Sequence, residues 1–233
     1  MKLTPTGGVR RIQQTMASRI AAFFDLDNTI VPGPAIEYRY VRALWRQGVV
    51  GPMDLVRSAA DLLRNIPPFS FDPLRRFKAY LAGKSVTAVD AATKNFFLEQ
   101  VCSRISEQAR VAISAHRAQG HRVILLTGSP ELLVGPLAAY LKIEQVIAGR
   151  LETKGDLFTG RMIEPYPYRQ GKRLEAERLA VEQHLDLAAS FMYGDSPGDL
   201  PILEAVGHPH VVNPIRGMRR IAHQRGWPIL SWT

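Results

Sequence analysis

Cysteine is almost absent from this sequence, and long apolar runs are missing from it. Its 233 residues include a single cysteine, Cys102, so neither a disulfide framework nor a cysteine-rich zinc site can form within one chain. No apolar run approaches the roughly 20 residues that a helix needs to span a membrane, so we expect no membrane span. A single cysteine is compatible with a reducing compartment, and we expect the protein to be cytoplasmic.

Acidic residues are scarce relative to basic ones, 21 against 30, which gives a formal net charge of +9. Such a charge is compatible with nucleic acid, an anionic membrane surface or an acidic small substrate. The basic residues are dispersed, however, and lack the aromatic platforms of a nucleic-acid module, so we expect no nucleic-acid partner. Two interpretations stay open, solvated helix faces and the steering of a phosphorylated substrate. The densest groups are Arg10-Arg11, Arg75-Arg76-Lys78 and Arg216-Arg219-Arg220.

The chain is long enough for one large domain or for a domain with a sizeable insertion. Residues 1–18 are polar and basic without the apolar segment of a secretory signal, and we interpret them as a flexible basic leader. Ile20–Phe24 is a short apolar run, typical of a buried parallel strand. Residues 35–104 then lack strand signals and contain four helix-period segments, which are interrupted at Gly51-Pro52 and Pro67-Pro68.

Strand and helix patterns alternate after residue 105. This alternation predicts an α/β fold, a Rossmann-like open parallel sheet with helices on both faces. The helical segment that follows the first strand predicts an inserted α-helical bundle, which we call the cap. We therefore expect a core formed by residues 19–32 and 105–233, and a cap formed by residues 33–104. The stretch ETKGDLFTGRMI predicts a hairpin with Lys154 at its turn.

Three of the predicted strands end in polar residues. The first ends in Asp25-Leu26-Asp27-Asn28-Thr29, the second in Thr127-Gly128-Ser129, and a later one in Gly194-Asp195-Ser196-Pro197-Gly198-Asp199. Ligands of open α/β sheets bind beyond the carboxyl ends of the strands, so we expect four carboxylates to meet in one crevice. Such a cluster is repulsive without a cation, and hard oxygen ligands favour Mg²⁺. Separate solvated turns or helix caps would explain any one stretch, but they explain all three together poorly.

These stretches resemble a known family. DLDNT, LLTGS, the lysine of RQGKRLEAERL and GDSPGD are similar, in this order, to the four motifs of the haloacid-dehalogenase-like superfamily. The helical insertion after the first motif resembles the C1 cap of that superfamily. The combination with DLPIL after the last motif is similar to its phosphoserine-phosphatase-like subgroup, subfamily IB. The four motifs together are highly specific and span nearly the whole chain.

The resemblance implies a role for each motif residue. Asp25 would be the nucleophile that forms an aspartyl-phosphate, and Asp27 would be the general acid and later the general base. Lys172 would neutralise charge on the nucleophile and on the phosphoryl group. The Thr127 hydroxyl and the Gly128 amide would bind phosphate oxygens at a helix N-terminus, with Ser129 as a weaker candidate for the same task.

The resemblance also implies a metal site. Mg²⁺ would be bound by a carboxylate oxygen of Asp25, by the backbone carbonyl of Asp27 and by Asp195, while Asp199 matches an outer position that holds a metal-bound water. The metal would let a carboxylate approach an anionic phosphate. Thr29 is expected to hold the turn by a hydrogen bond from its side chain.

We therefore expect a Mg²⁺-dependent phosphatase, a phosphoric monoester hydrolase that acts on a small-molecule phosphomonoester. An amino-acid-related phosphate such as phosphoserine or histidinol phosphate is one possible substrate. A sugar, nucleotide or lipid-head phosphate is the alternative. A different class, a non-catalytic phospho-ligand-binding protein, usually lacks one of the motif aspartates, and all of them are present here. The oligomeric state stays open.

Two departures from the family weaken phosphoserine as the substrate. Phosphoserine phosphatases carry an acid nine residues after the nucleophile to meet the ammonium group, whereas this chain has Pro34 there, and Glu37 is the nearest acid. Their last motif usually has asparagine where this chain has Gly198. Within the cap, Glu37, Arg57 and Arg64 are candidate substrate contacts, although Glu37 could equally be a solvated acid in the first turn of a helix.

Overall fold

The computed structural model of the chain describes residues 19–65 and 78–233, and the side chains of all of these except 61–65. The leader expected at residues 1–18 lies outside the described residues and stays a prediction. Seven strands of the described residues form one sheet in the order β4-β3-β2-β1-β5-β6-β7. The strands are β1 (Ala21–Phe24), β2 (Arg122–Pro130), β3 (Gln145–Lys154), β4 (Leu157–Ile163), β5 (Phe191–Gly194), β6 (His208–Val212) and β7 (Ile229–Leu230).

Helices cover both faces of this sheet. Successive residues of a strand point to opposite faces. Phe23 accordingly packs in one apolar cluster with the helices at residues 170–183, 200–203 and 218–225, while Phe24 packs in another with the helices at residues 107–118 and 131–140. In the described part of the chain no helix is both long and apolar enough to cross a membrane. The helices are α1 (Ile36–Arg46), α2 (Pro52–Asn65), α3 (Val86–Phe96), α4 (Glu107–Ala118), α5 (Glu131–Tyr140), α6 (Gln170–Gln183), α7 (Leu200–Leu203) and α8 (Met218–Arg225).

The sheet confirms the predicted fold class and adds one antiparallel edge. Neighbouring strands are parallel from β3 through β7, and β4 pairs antiparallel with β3. Strand β1 lies at the centre, where all four of its side chains are fully buried. Phe24 pairs with Leu125 of β2 and with Tyr193 of β5. The carboxyl ends of these three strands therefore lie side by side at one edge.

The segment between β1 and β2 is helical wherever the structure describes it. It contains α1, α2 and α3, and α3 continues into a π-helical turn, Phe97–Val101, and a 3₁₀ turn, Cys102–Arg104. Of the third predicted helix, the described part is a 3₁₀ turn, Ala79–Leu81, and the remainder falls largely in residues 66–77, outside the described residues. Buried side chains of α1 and α3 belong to the same apolar cluster as Phe24, and the domain boundary at residues 33–104 stays a prediction.

The predicted hairpin is present as β3 and β4, with Gly155 at a positive φ of 62° in its turn and Lys154 exposed. Strand β3 is longer than expected, because it joins the strand predicted at Val146-Ile147 to the first arm of the hairpin. The outer edge of β4 also holds the cap. The Gly83 N–H donates to Phe158 O at 2.8 Å, and the Lys78 N–H donates to Gly160 O at 2.7 Å.

Helix α4 carries a buried histidine that packs against the sheet. His116 of α4 is 5% exposed, and its ring nitrogens lie 2.9 Å from His121 Nδ1 and 2.9 Å from the Tyr193 hydroxyl. Burial, together with the neighbouring His121 and His210, lowers the pKa of His116 to about 4. The His116 ring of the folded protein therefore stays neutral at pH values at which the same ring of the unfolded chain, with a pKa near 6.5, is already protonated.

We expect stability to fall as pH falls from about 6.5 towards 4. The unfolded state binds the proton first in this window, so His116 alone should remove about 2 kcal/mol of unfolding free energy between pH 7 and pH 5. Urea unfolding at the two pH values measures the loss. The variant His116→Gln should lose less than the wild type, and His223→Gln, at an exposed position of α8, should match the wild type. Carboxylates contribute equally to the loss of unfolding free energy in all three proteins, so the difference between the proteins reports His116. If His116→Gln loses as much as the wild type, His116 is not the source of the pH dependence.

Candidate active site

The loop after β1 folds back sharply and presents two carboxylates. The Asn28 N–H donates to Val31 O at 2.8 Å and the Val31 N–H donates to Leu26 O at 3.0 Å, while Asn28 has a left-handed φ of 55°. The Gly33 N–H donates to Asn28 Oδ1 at 3.1 Å. The expectation for Thr29 was wrong, because its buried hydroxyl has no hydrogen-bond partner among the described residues. Backbone hydrogen bonds and the Asn28 side chain hold the turn instead.

Three buried aspartates meet beyond the ends of β1 and β5. Carboxylate oxygens of Asp25, Asp195 and Asp199 lie within 4.8 Å of one another, and each of these residues is at most 6% exposed. Lys172 Nζ donates to Asp25 Oδ1 and to Asp199 Oδ1, both at 2.5 Å. One ammonium group therefore faces three carboxylates, which leaves negative charge uncompensated in a buried place. Oxygen donors at this spacing fit a divalent cation.

The charge imbalance appears in the titration of these groups. Burial raises the pKa of Asp25 well above its usual value, against the lowering effect of Lys172. Burial, together with the charge of Asp199, raises the pKa of Asp195 to about 6. Burial by itself would lower the pKa of Lys172, but Asp199 and Asp25 outweigh it and raise that pKa. A bound cation would oppose the raised pKa values of the aspartates, since a positive charge favours the ionised form.

The loop after β5 fixes the third aspartate. Asp199 Oδ2 accepts hydrogen bonds from the Asp195 N–H at 3.3 Å and from the Ser196 N–H at 3.2 Å. A side chain at Gly194 would not fit, because its Cβ would lie 2.7 Å from Asp199 Cβ. Glycine at this position therefore lets the loop close over the carboxylate and aim Asp199 Oδ1 at Lys172.

Asp27 lies two residues beyond Asp25 and has different partners. Its Oδ1 accepts the Ile36 N–H at 2.7 Å, and its Oδ2 accepts the Ser129 hydroxyl at 3.3 Å. Burial raises the pKa of Asp27, the Ile36 N–H opposes this, and the nearby Glu37 carboxylate adds to it. A carboxyl group with a raised pKa retains its proton at higher pH, which suits a general acid.

The end of β2 supplies hydroxyl and amide groups to the same crevice. Thr127 and Ser129 are buried there, and the Ser129 N–H donates to Thr127 Oγ1 at 3.1 Å. The Tyr166 hydroxyl donates to Gly128 O at 2.9 Å, and a Cβ at Gly128 would lie 3.2 Å from that hydroxyl. Helix α5 begins directly afterwards at Glu131. The arrangement places Thr127, Gly128 and Ser129 beside the amino end of a helix, where anions bind readily.

Together these strand ends and the cap enclose a crevice of about 490 Å³. It is lined by Asp25, Asp27, Asn28, Gly33, Pro34, Ala35, Glu37, Tyr38, Lys78, Thr127, Gly128, Ser129, Tyr166, Tyr168, Lys172, Asp195, Ser196, Gly198, Asp199, Ile215 and Arg216. The residues predicted for nucleophile, acid, phosphate and metal all lie here. Their chemical roles stay predictions, since proximity alone does not test them.

A family model described as haloacid dehalogenase-like hydrolase matches residues 22–204. The chain belongs to this family. A probable phosphatase of Mycobacterium tuberculosis is 33% identical over 221 residues, which cover 93% of this chain and 76% of that protein. A phosphoserine phosphatase of the same organism is 28% identical over 215 residues, 90% of this chain and 70% of that protein. A histidinol-phosphatase of Neisseria meningitidis is 26% identical over 218 residues, 91% of this chain and 98% of that protein.

A solved structure from Bordetella pertussis, of a protein with unknown function, superposes on this hydrolase with a TM-score of 0.80 and 29% sequence identity. The match covers 91% of this chain and 98% of that one. The comparisons confirm the resemblance to the phosphoserine-phosphatase-like subgroup and the expected enzyme class, a phosphoric monoester hydrolase.

The three cap candidates have different outcomes in the structure of this hydrolase. Glu37 lines the crevice, where its carboxylate accepts hydrogen bonds from Lys78 Nζ at 2.6 Å and from the Tyr80 hydroxyl at 2.9 Å. The structure does not bring Arg57 to the crevice, because its side chain is exposed on α2, near Asp54. Arg64 falls in the last turn of α2, where the side chains lie outside the described residues.

Sequence reasoning missed a network of hydrogen bonds that supports Asp195. Asn28 was read only as part of a motif, yet its side chain donates to Asp195 Oδ2 at 3.1 Å and to Asn213 O at 2.9 Å. Asn213 in turn donates to Asn28 O at 2.9 Å and to Trp232 O at 2.7 Å, and it accepts the Trp232 N–H at 2.9 Å. We call these three residues, Asn28, Asn213 and Trp232, the asparagine clamp. No motif marks these contacts in the sequence, because the left-handed φ of Asn28 and its pairing with Asn213 over 185 residues are set by the fold.

We expect Asn213→Gly to weaken metal binding. Glycine tolerates the φ of 43° at this position, so the substitution removes the side-chain hydrogen bonds without adding strain. Loosening Asn28 frees Asp195, and losing such outer support raises the dissociation constant for a metal about tenfold. Calorimetric titration with Mg²⁺ measures this constant. The variant Lys142→Gly, at an exposed left-handed position with a φ of 54°, is the control, and equal affinities for the two variants would contradict the role of the clamp.

Proposed function

We propose that this hydrolase is a Mg²⁺-dependent phosphatase that cleaves small-molecule phosphomonoesters through an aspartyl-phosphate on Asp25. The observation that carries the proposal is the salt bridge of Lys172 to Asp25 and Asp199 at 2.5 Å, beside a third buried aspartate, Asp195. The arrangement gathers a nucleophile, a fixed positive charge and hard oxygen ligands in one crevice. Each of these components favours phosphoryl transfer to a carboxylate.

The first chemical step transfers the phosphoryl group to the protein. A carboxylate oxygen of Asp25 attacks phosphorus, the bond from phosphorus to the ester oxygen breaks, and Asp27 gives its proton to that oxygen so that a neutral alcohol leaves. In the second step Asp27 takes a proton from water, the water oxygen attacks phosphorus, and the acyl phosphate bond to Asp25 breaks. Inorganic phosphate is released, and both aspartates return to their starting states.

The other groups of the crevice hold the phosphate and offset its charge. The Thr127 hydroxyl and the Gly128 amide bind phosphate oxygens, with Ser129 positioned by its hydrogen bond to Asp27. Lys172 stabilises the charge that builds up between Asp25 and the phosphoryl oxygens. Asp25, Asp195 and the backbone carbonyl of Asp27 would hold Mg²⁺, with Asp199 as an outer partner. The ion would reduce the repulsion between the Asp25 carboxylate and the phosphate dianion.

Two classes of phosphomonoester are candidates for the substrate. The phosphoserine phosphatase and the histidinol-phosphatase among the relatives support an amino-acid-related phosphate, whereas sugar, nucleotide and lipid-head phosphates are the alternative. A purely phospho-ligand-binding role is disfavoured, since Asp25, Asp27, Asp195 and Asp199 are all in place. The expected cytoplasmic location stays a prediction.

Metal removal tests the proposal. Phosphate release from a panel of phosphomonoesters should require Mg²⁺ and should fall to background with EDTA. Ca²⁺ should replace Mg²⁺ poorly, since it takes more ligands at longer distances and would engage both oxygens of the attacking carboxylate. A phosphatase rate that survives EDTA would rule out the mechanism, and a panel with no phosphate release in Mg²⁺ would rule out the activity.

A further inference from the structure

A buried lysine occupies the cap side of the crevice. Lys78 is 3% exposed, and its Nζ donates to Glu37 Oε2 at 2.6 Å, while the Tyr80 hydroxyl donates to Glu37 Oε1 at 2.9 Å. Both Lys78 and Glu37 line the crevice. The negative charge of Glu37 is therefore matched by a cation of the protein itself.

The core hairpin fixes this lysine in place. The Lys78 N–H donates to Gly160 O of β4 at 2.7 Å, and the Gly83 N–H donates to Phe158 O at 2.8 Å. Gly160 has a φ of 83°, and a Cβ there would lie 3.2 Å from Ala79 Cα, so the chain at Lys78 packs directly on the strand. Because its backbone is anchored and its side chain is buried, the ammonium group is held rigidly at the crevice.

The ion pair of Lys78 and Glu37 lies near the place where the leaving alcohol is protonated, because Asp27 contacts the same helix as Glu37. The carboxylate of Asp27 is tied to the first residue of α1 by the Ile36 N–H at 2.7 Å, and Glu37 is the next residue of that helix. Asp27 must reach the ester oxygen to protonate it, so the leaving alcohol lies against the first turn of α1. Glu37 and Lys78 are the charged side chains of the cap that line this part of the crevice among the described residues.

We propose that Lys78 is a specificity-determining residue that selects phosphomonoesters of oxygen-rich alcohols without an ammonium group and disfavours amino alcohols. This proposal rests on the phosphatase activity proposed above. Lys78 already neutralises the Glu37 carboxylate, which would otherwise attract an ammonium group of the substrate. The charge of Lys78 also repels such an ammonium group. An ammonium group has three N–H donors, and the two that do not point at Glu37 can donate to hydroxyl or carboxylate oxygens of the substrate.

Matched substrates that differ in one group test the wild-type protein. Phosphoserine and 3-phosphoglycerate share a carbon skeleton and differ in ammonium against hydroxyl, as do phosphoethanolamine and 2-hydroxyethyl phosphate. We expect kcat/KM to favour the hydroxyl compound about tenfold or more in each pair. A higher kcat/KM for the ammonium compound in both pairs would overturn the proposal without any variant.

Substitution of the lysine should move the preference. Lys78→Gln leaves Glu37 with an uncompensated charge, so the ratio of kcat/KM should shift at least tenfold towards the ammonium compounds. Adding Glu37→Gln to this variant should cancel the shift, and the neutral pair also guards against a variant that fails to fold. The control is Lys84→Gln, because Lys84 forms a similar ion pair with Asp54 at 2.7 Å away from the crevice. A ratio that Lys78→Gln leaves unchanged would overturn the proposal.

Binding separates this proposal from the phosphatase activity. Dissociation constants of each pair are measured by calorimetry with Asp25→Asn protein in Mg²⁺. If no ester is hydrolysed by the wild type but the hydroxyl compounds bind more tightly, the proposed activity fails and the role of Lys78 stands. If esters are hydrolysed but the ammonium compounds bind equally or more tightly, the role of Lys78 fails and the activity stands.

Discussion

Asp25→Asn is expected to bring phosphate release to background, a loss on the order of 10⁴-fold or more. An amide nitrogen or oxygen does not attack phosphorus, so no aspartyl-phosphate can form. The substitution keeps the volume of the side chain at the tip of β1, and Lys172 retains its salt bridge to Asp199. The loss should therefore arise from chemistry and not from unfolding.

Phosphate release in Mg²⁺ measures the effect, and mass spectrometry of acid-quenched protein should find a phosphoryl adduct in the wild type alone. Asp90→Asn is a matched control, because Asp90 is an exposed partner of Lys94 on α3. More than trace metal-dependent activity in Asp25→Asn would show that another residue is the nucleophile.

Asp27→Asn is expected to lower turnover by about 10²–10⁴-fold while metal affinity stays near that of the wild type. Asparagine Oδ1 can still accept the Ile36 N–H, so the loop keeps its shape. Its metal contact in the proposed mechanism is the backbone carbonyl, which the substitution leaves in place. What is lost is the proton for the leaving oxygen and the base for water.

The leaving group separates these two losses. Nitrophenolate departs without a proton, so p-nitrophenyl phosphate should give a rapid first release of about one equivalent from Asp27→Asn, followed by slow turnover. An alkyl phosphate should show no such burst. Rapid mixing measures the burst, and calorimetric titration with Mg²⁺ measures the metal affinity. If Asp27→Asn turns over alkyl phosphates at the wild-type rate, Asp27 is not the general acid.

The core of this hydrolase was predictable because its signals are local. A short apolar run that ends in Asp25 is a buried strand by composition alone, and alternation after residue 105 fixes the sheet class. Since parallel strands end at one edge, the approach of Asp25, Thr127 and Asp195 follows from sequence. The hairpin that contains the antiparallel strand β4 was also predicted, but the position of β4 at the edge of the sheet depends on packing.

On the cap side of the crevice Glu37 was a candidate from the sequence, but its ion pair with Lys78 was not predictable, because this contact is long-range and carries no motif. Glu37 and Lys78 are 41 residues apart and meet only through the anchoring of the cap on β4. Arg57 was a candidate substrate contact, but a helical pattern does not show which way a given face of α2 points, and Arg57 is not among the residues that line the crevice. Thr29 was expected to hold its turn, whereas backbone hydrogen bonds and the Asn28 side chain hold it, and the Thr29 hydroxyl has no partner among the described residues.

The sequence separations across the crevice have a consequence for how the chain folds. Lys172 reaches Asp25 over 147 residues, and Asn213 reaches Asn28 over 185. Contacts of such range form late and slow the overall rate, because loop closure has to precede them. A partly folded intermediate that lacks β5 and the residues after it would have Asp25 without Asp195 and Asp199, the other two carboxylates of the cluster. Cation binding should therefore appear only at the last folding step, and a bound cation should stabilise the native state by mass action.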